Sequence, residues 1–210
     1  MILKKASLII FLVLLIDQVS KIYVKTHFAM DEHISILGFD WARIHFTENK
    51  GAAWGFQLND FLTFLSENQA KIILSLFRIV AISGIGYWLY KSINENASKI
   101  LIVAVSMIFA GAIGNIIDSV FYGVLFEESS RLTHNIAGFA SGNGYSTLFH
   151  GRVVDMLYFP MWSGNLPDWL PFWGGKYFTF FNAIFNVADF AISCGVGLLI
   201  VFNKHVFPKG

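Results

Sequence analysis

The sequence predicts an all-α integral membrane protein: four transmembrane helices with a small outer-face β element and long outer loops. Three observations lead there. Of 210 residues, 55% are hydrophobic and only 14% are charged, against roughly 25% charged in an ordinary soluble domain. Four nearly uncharged runs each reach about 20 residues, enough to cover the roughly 30 Å hydrocarbon core. Lysines cluster in the short segments between and beyond those runs. The same composition excludes a disordered chain, a nucleic-acid partner and a disulfide scaffold, because the net charge is +1 and the one cysteine is Cys194.

The first run covers about residues 6–24 and follows Lys4 and Lys5. It outlasts a secretory signal and lacks an Ala-x-Ala cleavage site, so it is expected to be a retained helix. The others cover about 71–90, 100–122 and 181–202. Lys4, Lys5, Lys91, Lys99, Lys204 and Lys209 all fall in short segments, which predicts a multi-pass protein with both termini cytoplasmic. Segments 25–70 and 123–180 then face outward. Within them, residues 38–48 predict a short strand and 141–147 a loop. Residues 160–175, with three Pro and three Trp, predict a loop along the outer membrane surface. No repeat is visible, and a single membrane domain over 1–210 is the simplest organisation.

The informative residues are the polar ones inside apolar runs: Asp17, Lys21, Arg78, Asn115, Asp118, Asn186 and Asp189. A charged group at a helix centre costs roughly 2.5–3.5 kcal/mol on insertion scales. Such acids must be paired, protonated, interfacial or in a wet cavity. Asp17 and Lys21 are four apart and can pair on one helix face. Gly111, Gly114, Asn115 and Asp118 form a small-and-polar stripe at i, i+3, i+4, i+7. Asn182, Asn186 and Asp189 follow i, i+4, i+7 on the fourth run. Asp155 lies in an apolar stretch (VVDMLYF) of the second outer segment. Arg78 reads as a bundle ion-pair partner or a snorkelling side chain.

No nucleophile elbow, phosphate loop or cysteine cluster is present, so no metal and no cofactor are expected, and His134 and His150 make a poor metal pair. Carboxylates remain. Two of them sharing a site is a hydrolytic device, because like charges that close keep one proton between them. Competing readings are a small proton-coupled membrane transporter and a non-catalytic anchor.

Five motifs add a resemblance. DQVSK (Asp17–Lys21), ENKGAAWGF (Glu48–Phe56), GAIGNIID (Gly111–Asp118), GRVVDM (Gly151–Met156) and FNVAD (Phe185–Asp189) occur in one order on a four-span frame. In this the chain resembles the lipoprotein signal peptidases (signal peptidase II), bacterial aspartyl proteases of the inner (cytoplasmic) membrane. The resemblance implies removal of signal peptides from diacylglyceryl-modified prolipoproteins by cutting before the lipidated Cys. It implies Asp155 and Asp189 as the catalytic pair, near the outer face. It places Asp17, Lys21, Asn49, Gly51, Gly111, Asn115, Asp118, Arg152, Asn186 and Ala188 as supporting or substrate-binding residues, with Trp54 and Phe56 as apolar contacts. Partners would be the prolipoprotein and membrane lipid, and a monomer is expected because one chain carries every motif.

Two departures stand out. The family usually has Arg directly after GNxxD, where this chain has Ser119; Arg152 is one candidate replacement. Asp118 and Asp155 lie 37 positions apart, and Asp155 and Asp189 lie 34 apart, which implies inserted outer loops at about 124–149 and 161–178.

Overall fold

The structure is a computed structural model and describes residues 2–49 and 66–207. Gly51, Trp54 and Phe56 lie outside the described residues. Helix α1 spans Ile2–His27, and α2 spans Glu67–Asn94. Helix α3 spans Lys99–Ile117 and continues through a π-type turn, Asp118–Tyr122, into Gly123–Leu125. Helix α4 spans Val187–Val201. Among the described residues, three helices are long and apolar enough to cross a membrane, and α4 is a shorter apolar helix of 15 residues.

Local chemistry sets the helix starts. Ser66 caps α2 by accepting from the Gln69 N–H, while Gln69 Oε1 accepts from the Ser66 N–H at 3.0 Å. Ser98 caps α3 through the Leu101 N–H. Asn186 caps α4 in the same reciprocal way with Asp189. The fourth run was expected to be helical from 181. Instead the helix begins at 187, because Ile184 and Phe185 pair with a strand and Asn186 ends that strand as a cap. Asn182 therefore leaves the expected helical stripe, and its Oδ1 accepts from Tyr158 Oη at 2.8 Å.

The bundle alternates up and down. Gly114 of α3 faces both Asp17 and Ala188, while Gly195 faces Ala104 and Ile108. Thus α4 runs antiparallel to α3. Ala6, Leu89, Leu101, Ile102, Val105 and Val206 form one core cluster, so the chain start, the α2–α3 connection and the segment after α4 share one end. A second cluster, with Val24, Phe46, Tyr122, Phe126, Val154 and Met156, packs the other end. The outward surfaces of the helices stay apolar, with Phe11, Val19, Phe77 and Val80 exposed, as lipid-facing positions require.

The second end carries more β structure than expected. Strands β1 (His33–Ile36), β2 (Phe39–Asn49), β3 (Val153–Tyr158) and β6 (Ile184–Phe185) form an antiparallel sheet in the order β1-β2-β3-β6. The strand expected at 38–48 is β2. The segment 160–175, expected as loop, contributes β4 (Trp162–Asn165), which pairs with β5 (Tyr177–Phe180) as a separate ribbon. The Pro residues there flank the strand rather than interrupt it.

Helices α3 and α4 approach at glycine. A Cβ on Gly111 would lie 2.3 Å from the Ala188 carbonyl oxygen, and one on Gly114 2.6 Å from Asp17 Oδ2. At Gly111 the obstacle is backbone, which cannot yield without separating α3 from α4; at Gly114 it is the Asp17 carboxylate. Gly111→Ala is expected to cost about 1–3 kcal/mol, the usual penalty of overpacking. Thermal unfolding in detergent checks this, and an unchanged melting temperature would show that the contact is loose.

Candidate active site

Lys21 organises the buried charges. Its Nζ lies 2.9 Å from Asp17 Oδ2 and 2.9 Å from Asp118 Oδ2, and donates to Asn115 Oδ1 at 2.9 Å. All three ionic side chains are 0% exposed. An ammonium offers three donors, and here each meets an acceptor. That geometry offsets the desolvation that otherwise makes a buried ion pair unfavourable.

Both acids also reach beyond the lysine. Asp17 Oδ1 accepts from the Ala188 N–H at 2.8 Å, in the first turn of α4. A carboxylate there satisfies an orphan donor and meets the positive end of the helix dipole. Asp118 Oδ2 accepts from the Val154 N–H at 3.2 Å, which ties α3 to β3 beside Asp155. Gln18 completes the knot by donating to Asp118 Oδ1 at 3.1 Å and to the Gly114 carbonyl at 3.2 Å.

Asp155 and Asp189 are held by amides. Asn186 Nδ2 lies 2.8 Å from Asp155 Oδ1, 3.2 Å from the Val154 carbonyl and 3.1 Å from Asn115 Oδ1. Asn186 Oδ1 accepts from the Asp189 N–H at 2.9 Å. Asp189 Oδ1 accepts from Asn115 Nδ2 at 2.8 Å, and its Oδ2 from the Asn186 N–H at 3.3 Å. Asn115 and Asn186 thus link the knot to both acids. The β3–β6 pairing sets the distance, because Leu157 opposite Phe185 brings Asn186 to the end of the ladder beside Met156, one residue from Asp155. A bulge in β2 between Ile44 and Thr47 re-aims the strand next to Thr47, the partner of Asp155.

Asp155 is 5% exposed. Burial pushes its carboxyl up to about 8, and the charge of Asp189 acts in the same direction. Lys21 and the Asn186 hydrogen bond oppose that rise. The arrangement therefore keeps a proton at Asp155 at neutral pH, while the oxygens of Asp189 accept from the Asn115 amide and the Asn186 N–H.

The other expected residues divide. Gly111 and Ala188 are the packing contact, and Asn49 ends β2 opposite Val153. Arg152 pairs with Glu48 at 3.2 Å and Glu128 at 3.0 Å, with its guanidinium over the Tyr145 ring. Sequence reading passed over two residues. Gln18 sits inside the DQVSK motif. Lys25 continues the α1 face of Asp17 and Lys21 by one more turn; it is buried, pairs with Glu48, and donates to Ser129 Oγ at 3.0 Å. The rings of Phe46, Phe126 and Tyr145 surround it. Lys25 and Arg152 thus fasten the first inserted loop to β2.

The acids of the site separate into an ion-pair knot and an amide-held carboxyl pair, and the family match makes the chain an aspartic protease of the membrane. Within that class the chain belongs to the signal peptidase II family: the model described as Signal peptidase (SPase) II matches residues 9–204. The lipoprotein signal peptidase of Porphyromonas gingivalis is 46% identical over 199 residues, covering 94% of this chain and 82% of that protein. That of Amoebophilus asiaticus is 38% identical over 196 residues, covering 92% and 75%. A solved bacterial membrane enzyme shares the fold at a TM-score of 0.57 and 24% identity, covering 99% of this chain and 92% of its own.

Lys21→Met is expected to strand two buried carboxylates and to cost about 3–5 kcal/mol, as breaking a buried pair does. A detergent-unfolding titration measures it; wild-type stability in the variant would mean that the lysine is not what neutralises Asp17 and Asp118.

Proposed function

We propose that Asp155 and Asp189 are the catalytic pair of an aspartic endopeptidase that removes signal peptides from prolipoproteins, cutting before the diacylglyceryl-modified Cys. The observation that carries this is the shared clamp of Asn186 on both acids, with the proton-retaining carboxyl at Asp155. Membership in the signal peptidase II family supports the substrate class.

The chemistry follows from one proton on the pair. Asp189, as carboxylate, takes a proton from water as the water oxygen attacks the scissile carbonyl carbon. Asp155 gives its proton to the carbonyl oxygen, forming a neutral gem-diol. Collapse breaks the C–N bond, returns the diol proton to Asp155 and passes the water-derived proton from Asp189 to the leaving amine of the cysteine. The pair titrates as a unit, so the cycle needs the singly protonated form.

The fold supports the setting. Asp189 lies in the first turn of α4 and Asp155 in the adjoining sheet, at the bundle end opposite Lys4, Lys5, Lys91, Lys99 and Lys204. The positive-inside rule puts those lysines and both termini in the cytoplasm, so the acids face the outer side of the inner membrane. Trp162, Trp169, Phe172, Trp173 and Tyr177 are exposed on and beside the β4–β5 ribbon, in keeping with a place among headgroups. The acyl chains of the substrate would remain in the bilayer along the helices while the peptide meets water at the sheet. Among the described residues nothing favours the transporter reading, and a single chain brings all described motif residues together.

Asp155→Asn and Asp189→Asn are each expected to lower cleavage of a diacylglyceryl precursor by roughly 10²–10⁴-fold, the range for general acid–base groups, in protein that still unfolds cooperatively. A gel-shift assay with purified enzyme decides it, and retained cleavage in either variant would reject the pair. A pH profile adds an independent check. Because Asp155 holds its proton until about 8, kcat/KM should fall on the alkaline side with a midpoint in that region. A profile that stays flat well beyond it would exclude a required proton on the pair.

A further inference from the structure

A polar cleft that reaches Val153, two residues from Asp155 along β3, is walled by a second basic group that the chemistry above does not use. Lys71, Leu74, Ser75 and Arg78 lie at i, i+3, i+4 and i+7 on α2 and face Asn49, Ser119, Gly151 and Val153 across a polar cleft. Ser119 is 3% exposed, accepts from Arg78 Nη1 at 2.9 Å and donates to the Asn115 carbonyl at 3.0 Å. The serine therefore anchors the guanidinium to the same turn of α3 that supplies Asn115 and Asp118. Along β3, Val154 and Met156 pack into the core. Strand alternation puts Val153 and Asp155 on the other face, and Val153 lines the cleft with Arg78.

Charge gives the cleft its sense. Four acids are gathered here: Asp17 on α1, Asp118 on α3, Asp155 on β3 and Asp189 on α4. Lys21 touches only the first two. Arg78 joins this group through Ser119, which follows Asp118 directly in the chain. An arginine on a membrane helix is costly unless it is paired, snorkels or faces a polar cleft, and its planar fork suits carbonyl oxygens as well as carboxylates.

We propose that Arg78 is the substrate-binding cation of this active site: entering from α2 and oriented by Ser119, its guanidinium holds a backbone carbonyl of the peptide strand laid along Asn49 and Val153 across Asp155 and Asp189. Arg152, drawn to Glu48 and Glu128, instead braces the sheet. The inference rests on the carboxyl-pair reading. It accounts for Ser119 at the position after Asp118, because a small hydroxyl there leaves room for a guanidinium arriving from the facing helix.

The test is the kinetics of Arg78→Gln and Arg78→Lys on a diacylglyceryl precursor, with Asp155→Asn as reference and thermal unfolding to verify the fold. Removing a charged hydrogen bond to the substrate should lower kcat/KM of Arg78→Gln by about 10–100-fold, mostly through KM. Arg78→Lys should recover a substantial part of that loss. With the cation gone, the alkaline limb should also move up by about one pH unit, because ionising the pair becomes harder. Wild-type KM and an unmoved limb in Arg78→Gln, beside an inactive Asp155→Asn, would overturn the role of Arg78 and leave the pair intact. Active Asp155→Asn would instead overturn the pair itself. Equal losses in both Arg78 variants, carried by kcat or by a lowered melting temperature, would assign Arg78 to packing and overturn the proposal.

Discussion

The site depends on one buried ammonium. Lys21 meets three oxygens at hydrogen-bond distance, from α1 and α3, and the two acids it neutralises are thereby free to act as backbone acceptors. Asp17 fixes the start of α4, and Asp118 fixes the start of β3. The elements that carry Asp189 and Asp155 are therefore positioned by the same charge. In a low-dielectric interior such a knot is stable only when complete, because each group left over is a buried uncompensated charge. Completeness explains why Gln18, Asn115 and the close approach at Gly111 and Gly114 belong to it.

Environment then separates four chemically identical carboxyls into two kinds. Asp17 and Asp118 sit against a cation and do structural work. Asp155 and Asp189 are held by neutral amides, and burial, with the charge of Asp189, keeps the proton on Asp155. Two asparagines mark the boundary between the two kinds. Asn115 accepts from Lys21 and donates to Asp189, while Asn186 bridges Asp155 to the cap of α4.

The sequence made much of this legible. The pairing of Asp17 with Lys21 follows from i, i+4 spacing, and the Gly111–Asp118 stripe from helical periodicity. Asp155 and Asp189 were singled out by an acid in an apolar run, and the resemblance to the signal peptidase II family assigned them as the pair. What escaped was decided by partners distant in the chain. The fourth helix starts late because Ile184 and Phe185 find β3 as a neighbour, which no local pattern announces. The β4–β5 ribbon forms although Pro and Trp dominate its surroundings, since pairing begins two residues beyond Pro160. Nothing local marks Lys25, and Arg78 reads from sequence as an ion-pair partner or a snorkelling side chain; only the packing of the first inserted loop and of α2 against α3 shows what they meet.

Melting temperature set against cleavage rate for the four Asp→Asn variants separates the two kinds of acid. The substitutions at 155 and 189 should lower cleavage by roughly 10²–10⁴-fold with little loss of melting temperature, while those at 17 and 118 should lower the melting temperature by about 2–8 °C for each kcal/mol lost. Cleavage surviving at 155 or 189, or equal thermal losses at all four positions, would contradict that division.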